Sequence, residues 1–287
     1  MSFVDRLNDA SPCDKTLFLP FLVDNIKMGL VKHRFASVLE RFPHVFKVCD
    51  KKVCLSSTLK SFEERTNLVS EVLTILRHEK IISGWRNELY PVTNDLNTPA
   101  LFAMERAATG LFGIRSYAVS INGYVKRNNN YYLWVGQRSE SKETYPSKLD
   151  LMVGGGQPFG ITLEENIIKE CYEEAGLSEH ISKKAISVGG ISFCCEQGNE
   201  IINQFQFTYD LKLSQAITPK NIDGEVKGFR LVPVHEIMDT LATTDDFMFD
   251  SALVILDFLI RHGQIPANHP SYIEIVSNLR YNNHQML

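Results

Sequence analysis

Residues 151–177 read LMVGGGQPFGITLEENIIKECYEEAGL, and this stretch decides the fold. Thr162 followed three residues later by Glu165 is a capping-box pattern, so a helix starts near Leu163. Leu163, Ile167 and Cys171 recur every four residues and give that helix one apolar stripe. Gly176 is its natural stop, because glycine enters the left-handed conformation that ends helices. The spacing therefore predicts a helix over 163–175. Glu170, Glu173 and Glu174 share one face of its last turns. There they repel one another and oppose the negative end of the helix dipole. Lys169 can pair with Glu173 or Glu165 but does not neutralise the cluster. Two readings are open: a solvated acidic face, or carboxylates gathered for a hard divalent cation, which takes carboxylate, water and phosphate oxygens together. The surroundings favour the second. DLMV (150–153) is strand-like, and Gly154, Gly155 and Gly156 let the backbone approach a ligand closely.

The same residues resemble a Nudix box, G-x5-E-x7-R-E-U-x-E-E-x-G-U with U aliphatic. Counted from Gly155, the match runs through Glu170, Glu173, Glu174, Gly176 and Leu177. Ile161 stands where the pattern has its first glutamate, Lys169 replaces the arginine, and Cys171 takes the aliphatic position. The resemblance implies Glu170, Glu173 and Glu174 as ligands of Mg²⁺ or Mn²⁺, with the departures bearing on loop geometry. They also narrow the family. The chain is similar to a branch whose members are joined to thiamine pyrophosphokinase in some fungi or stand alone in plants and fungi. GWRNELYPV (84–92), ERAATGLFGI (105–114), INGYV (121–125), LWVGQRSESKETYPSKLD (133–150), KNIDGEVKGFRLVPV (220–234) and LVILDFLIRHG (253–263) carry that likeness. Ser120 stands where the branch has a histidine, and Ser147 where it has a glycine after the proline.

What the resemblance implies is an α/β (α+β) protein: a Nudix α/β/α sandwich with a mixed sheet, preceded by a smaller, mostly helical N-terminal domain. The expected division is 1–112 for the extension, 113–265 for the hydrolase domain and 266–287 for a tail. The implied activity is hydrolysis of an organic diphosphate, with oxidised or damaged thiamine diphosphate-like compounds as the substrate class. A nucleoside-diphosphate-linked pyrophosphatase and a non-catalytic ligand sensor are the alternatives.

Within that chemistry, Glu170 or Glu225 serves as general base. Glu225, in the D-G-E-V turn, otherwise reads as a surface turn residue. Arg138, Gly155, Gly156 and Lys169 are the expected substrate contacts. Arg138 is a diphosphate clamp through its planar fork or an exposed strand-end arginine. Asp150 reads as a second acid behind the ligands or the polar residue opening a strand. Trp85 is read as a buried tryptophan rather than a stacking platform, and Glu105–Arg106 as a helix ion pair.

The bulk properties exclude several classes. At 287 residues the chain holds one large domain or two modest ones. A formal net charge of −4 gives no broad electrostatic grip on nucleic acid. No apolar run reaches the length of about 18 residues that a membrane span needs. MSFVDRLNDASPCDK lacks a secretory pattern. The expectation is a cytoplasmic protein with a small-molecule partner, a homodimer being one assembly open to it. The six cysteines (13, 49, 54, 171, 194, 195) read as reduced thiols, with the adjacent pair on opposite strand faces.

Along the chain, 17–42 and 61–82 carry helical apolar spacing, and HVFKV and KVCLS read as a hairpin. A helix over 100–110 precedes strands at 115–125, 131–137, 150–154, 185–196, 202–213 and 226–232. ALVILDFLIRHG (252–263) is a second amphipathic helix, followed by a last short helix and a frayed end.

Overall fold

The computed structural model describes residues 2–8, 14–141 and 144–281; Cys13 and residues 282–287, where the sequence predicts a frayed end, lie outside them. After a short helix α1 (Phe3–Asn8), strands β1 (Phe18–Val23) and β2 (Ile26–Lys32) form an antiparallel hairpin. The helix expected over 17–42 is therefore confined to α2 (His33–Leu39). Two local features decide this. Pro20 has no N–H to give a helix, and Asp24 and Asn25 both take positive φ, 49° and 65°. A two-residue turn of that hand matches the twist of paired strands.

The hairpin β3 (Phe46–Cys49) and β4 (Lys52–Leu55) forms as expected and joins the sheet in the order β2-β1-β4-β3. Helix α3 (Phe62–His78) starts at a complete capping box between Ser61 and Glu64. It buries Val69, Val72, Leu73 and Leu76 against that sheet. Strands β5 (Leu89–Val92) and β6 (Phe102–Glu105) pair antiparallel. The helix expected over 100–110 is thus a strand, a 3-10 turn at 106–108 and α4 (Thr109–Phe112). The helical part of this region rests on a four-stranded sheet.

The rest is the expected α/β/α sandwich. Strands β7 (Arg115–Arg127) and β8 (Asn130–Arg138) pair only through 124–127 with 130–133, then part. Two short strands fill the fork: β9 (Leu149–Asp150) pairs with β8, and β10 (Val153–Gly156) pairs with β7. The acid-bearing helix α5 (Leu163–Ala175) follows, then α6 (Glu179–Ser182), β11 (Ile186–Gln197), β12 (Glu200–Lys212) and β13 (Val226–Pro233). The sheet order is β11-β12-β7-β8-β13, with β12 parallel to β7.

Alternation along the strands feeds two cores. Val119, Ile121, Trp134 and Val153 meet Ile167, Cys171 and Ala175 of α5. Leu133, Val135, Ile191 and Phe193 meet the opposite layer. That layer is α7 (Val234–Thr243), α8 (Phe249–Arg261) and α9 (Tyr272–Tyr281), together with α1. Cys194 and Cys195 fall into different cores, and the five described cysteines are free thiols. Ser147 takes φ +64°, a conformation that glycine enters without strain. Ser120 is buried opposite Thr208 on β12.

Candidate active site

The site is built by the junction of β10 with α5. Thr162 and Glu165 form the complete capping box read from the sequence, and Gly176 ends the helix at φ +63°. The α5 stripe holds Ile167 and Cys171 against the sheet, which turns the neighbouring glutamates toward the glycine strand. Burial pushes the Cys171 thiol up to about 12, so it stays protonated and inert.

Each glutamate meets a different environment. Glu174 is buried, and its Oε2 accepts the Gly154 N–H at 2.8 Å. Burial holds its pKa well above the carboxylate range; the Gly154 bond opposes this, while Asp150, Glu170 and Glu225 add to it. Glu170 lies against Gly155, where an added Cβ would come 2.1 Å from its carboxyl carbon. Burial raises its pKa, against the pull of Lys169. The Glu173 side chain is 43% exposed. Lys169 Nζ stands 3.0 Å from Glu170 Oε1 and 3.4 Å from Glu173 Oε2. Burial works against the charge of that ammonium, but the two carboxylates outweigh it and raise its pKa.

The C-terminal end of α5 is answered by backbone as well as by charge. Lys220 N–H donates to the Ala175 carbonyl at 2.8 Å, and Ile222 and Asp223 N–H both donate to the Glu173 carbonyl at 3.2 Å. These bonds satisfy carbonyls that a helix end leaves open. They also dock the loop that brings Glu225 near enough to act on Glu174. Ser139 N–H donates to the Glu225 carbonyl at 2.9 Å, closing that loop onto the end of β8.

Arg138 sits behind these groups. Its Nη1 donates to Asp150 Oδ2 at 3.0 Å and its Nη2 to the Thr144 carbonyl at 3.0 Å. Asp150 in turn accepts from Ser251 Oγ at 2.6 Å, so it ties β9 to α8. Trp85 packs against the N-terminal core under the Arg77 guanidinium. Glu105 and Arg106 do not pair with each other. Buried Glu105 accepts the N–H groups of Arg86 and Ala107, and Arg106 donates to Glu88 at 3.0 Å.

Two residues missed in the sequence brace the loop. Gln157 Nε2 donates to the Ile161 carbonyl at 2.8 Å, and Asn166 Nδ2 to the Gly156 carbonyl at 2.9 Å. The available signal was Asn166 itself, a polar residue beside the apolar stripe of α5. Tyr90 was also missed: a Cβ on Gly156 would lie 1.5 Å from its hydroxyl.

The fit of a divalent cation is read from the donors. They are carboxylate oxygens, the chemistry a hard cation takes, and an ammonium now supplies the positive charge between Glu170 and Glu173. The donors fit in kind. Among the described residues, no three His, Cys, Asp or Glu side chains already stand as a closed ligand set. No helix among them is long and apolar enough to cross a membrane.

Residues 1–116 match a family described as a domain of unknown function, DUF4743. The chain is 42% identical over 265 residues to "Nudix hydrolase 24, chloroplastic" of Arabidopsis thaliana, covering 92% of this chain and 73% of that protein. It is 39% identical over 289 residues to "Nudix hydrolase 20, chloroplastic" of the same plant, covering 97% and 77%. A "Nudix hydrolase" of Deinococcus radiodurans is 30% identical over 118 residues, covering 40% and 63%. The expectation of a cytoplasmic protein is overturned by the two plant relatives, both of which are named chloroplastic. Nudix hydrolases generally use divalent metal ions. Relatives of this identity and coverage establish that the chain belongs to the Nudix hydrolases.

Proposed function

We propose that the protein hydrolyses a thiamine diphosphate-like compound, in particular an oxidised or damaged one, to its monophosphate and inorganic phosphate with Mg²⁺. The observation that carries the reaction class is the convergence of Glu174 and Glu170 on Gly154 and Gly155. Resemblance of the stretches between 84 and 263 to the thiamine kinase-associated branch supports the substrate class. The hydrolase unit is assigned to residues 113–265, with 1–112 as an extension that covers it.

Glu170, Glu173 and Glu174 would hold the cation, which when bound neutralises charge on the diphosphate oxygens. The chain's own residues do the rest. Gly155 and Gly156 let the diphosphate approach the backbone, and Lys169 moves from its two carboxylates to phosphate oxygens. Glu225 or Glu170 takes the proton of the attacking water as its oxygen bonds to phosphorus and the bridging P–O bond breaks. Arg138 would reach substrate only by leaving Asp150.

Phosphate release across a panel of diphosphates with Mg²⁺ is the test, with size-exclusion chromatography reporting whether the active species is a homodimer. Oxo- and oxythiamine diphosphate are expected to exceed nucleoside triphosphates. Much faster turnover of a dinucleotide or ADP-ribose would overturn the substrate class and leave the reaction class standing. No turnover of any diphosphate with the cation bound would turn the reading toward a sensor.

A further inference from the structure

The N-terminal unit is seated directly on the glycine turn. Tyr90 fills the space beside Gly156, Phe159 N–H donates to the Leu89 carbonyl at 2.7 Å, and the rings of Phe62 and Phe159 stack at 5.0 Å. Tyr117 Oη, at the start of β7, donates to the Thr93 carbonyl at 3.2 Å. These contacts fix β5, and with it the residues it pairs with, against the phosphate end of the site.

Arg106 is carried there. Its guanidinium lies 5.5 Å over the Tyr90 ring, and its one hydrogen bond among the described residues is to Glu88 at 3.0 Å. An arginine has five N–H donors, so four are unspent. The side chain keeps 46% of its surface, yet protein crowds it closely enough that burial opposes its charge. Tyr90, Glu88 and Glu170 are the groups that offset that burial and raise its pKa. Lys169 and Arg138 each hold two partners here, Glu170 with Glu173 and Asp150 with the Thr144 carbonyl, where the Arg106 guanidinium holds one.

We infer that Arg106 is a substrate-binding residue that grips the phosphate oxygens of the diphosphate, which makes the N-terminal unit part of the active site. The inference rests on the diphosphatase reading of that site. Its planar fork suits two phosphate oxygens at once, and the phosphate displaces Glu88 as its partner. Tyr90 holds the guanidinium plane over the turn.

The test is calorimetric binding of imidodiphosphate, a non-hydrolysable pyrophosphate analogue, to the full chain with Mg²⁺. Arg106→Gln is expected to weaken binding about tenfold or more, the size of a lost charge-assisted bond, with its melting temperature held. Arg106→Lys should recover part of the loss, since it keeps the charge without the fork. Binding of Arg106→Gln within twofold of the parent would overturn the inference. If that variant does not fold, Glu88→Gln decides: freeing the guanidinium should tighten the analogue, and unchanged or weaker binding overturns the inference. Analogue binding is read without turnover, so a wrong thiamine-type substrate leaves this result interpretable.

Discussion

Glu174 and Gly154, twenty residues apart in sequence, are joined by one hydrogen bond of 2.8 Å between a buried carboxylate and a strand N–H. That bond seats α5 on the fork between β7 and β8, and it places a charge where burial disfavours one. Structure and reactivity therefore pull in opposite directions at Glu174. Glu174→Gln keeps an acceptor for Gly154 and removes the charge. It should keep or raise the melting temperature while lowering turnover by about a hundredfold or more, through loss of a carboxylate proposed to hold the metal. Glu174→Ala leaves the Gly154 N–H unanswered and should cost about 1–3 kcal/mol. Equal stability of the two variants in thermal melts would contradict this account.

Gly155 and Gly154 are neighbours with opposite tolerances. A Cβ at 155 meets the Glu170 carboxyl at 2.1 Å, whereas at 154 nothing lies within 4 Å. Neither glycine takes a positive φ, so space alone decides. Gly155→Ala should displace Glu170, cost about 1–3 kcal/mol as an overpacked site does, and lower turnover with it. Gly154→Ala should stay within about 0.5 kcal/mol, as substitutions away from special features do. Urea unfolding of the pair checks both.

Asp250 supplies a pH dependence outside the ligand set. Burial, and then the nearby Asp150, push its pKa up to about 6 from 3.8, although Gln206 Nε2 donates to it at 2.8 Å. The residue keeps some solvent contact while its carboxyl is surrounded by protein. The folded state thus holds this proton more tightly than the unfolded chain. Its contribution is complete below pH 3.8 and is lost as pH rises from there through about 6. Asp250→Asn should gain about 1–3 kcal/mol on the parent between the two ends of that window. Melting temperatures of both proteins across this range give the difference, and a flat difference would refute the assignment.

What could be read ahead of the structure was local. The capping box, the four-residue stripe and Gly176 fix α5 within its own sequence, so its ends fall where expected. A strand with alternation in its second half, such as β12, was legible for the same reason. The stretch 17–42 misled because its packed apolar residues satisfy helical and strand spacing alike, and the Asp24–Asn25 turn carried the decision. The stretch 100–110 is rich in helix formers, yet pairing of Phe102–Glu105 with Leu89–Val92 overrides propensity. At the site, the box glutamates were legible by spacing. The bracing of the loop by Gln157 and Asn166, and the approach of Arg106 beside Tyr90, depend on how the turn and a distant strand are folded together, which spacing does not encode.

The two candidate bases are separable because they are held differently. Glu170 is half of a pair with Lys169 and stands against Gly155. Glu225 sits on a loop docked through backbone bonds to Glu173 and Ala175, which do not involve its carboxylate. Glu225→Gln should leave that docking intact and Mg²⁺ affinity nearly unchanged. If Glu225 is the base, kcat falls by about a hundred- to ten-thousandfold, the range for a lost general base. Glu170→Gln should instead raise the Mg²⁺ concentration needed for half-maximal rate as well as lowering kcat, because it removes a charge from the proposed ligand set. Magnesium titrations of kcat for both variants discriminate. A Glu225→Gln enzyme with parental kcat assigns the proton transfer to Glu170, and parental magnesium dependence in Glu170→Gln removes that residue from the ligands.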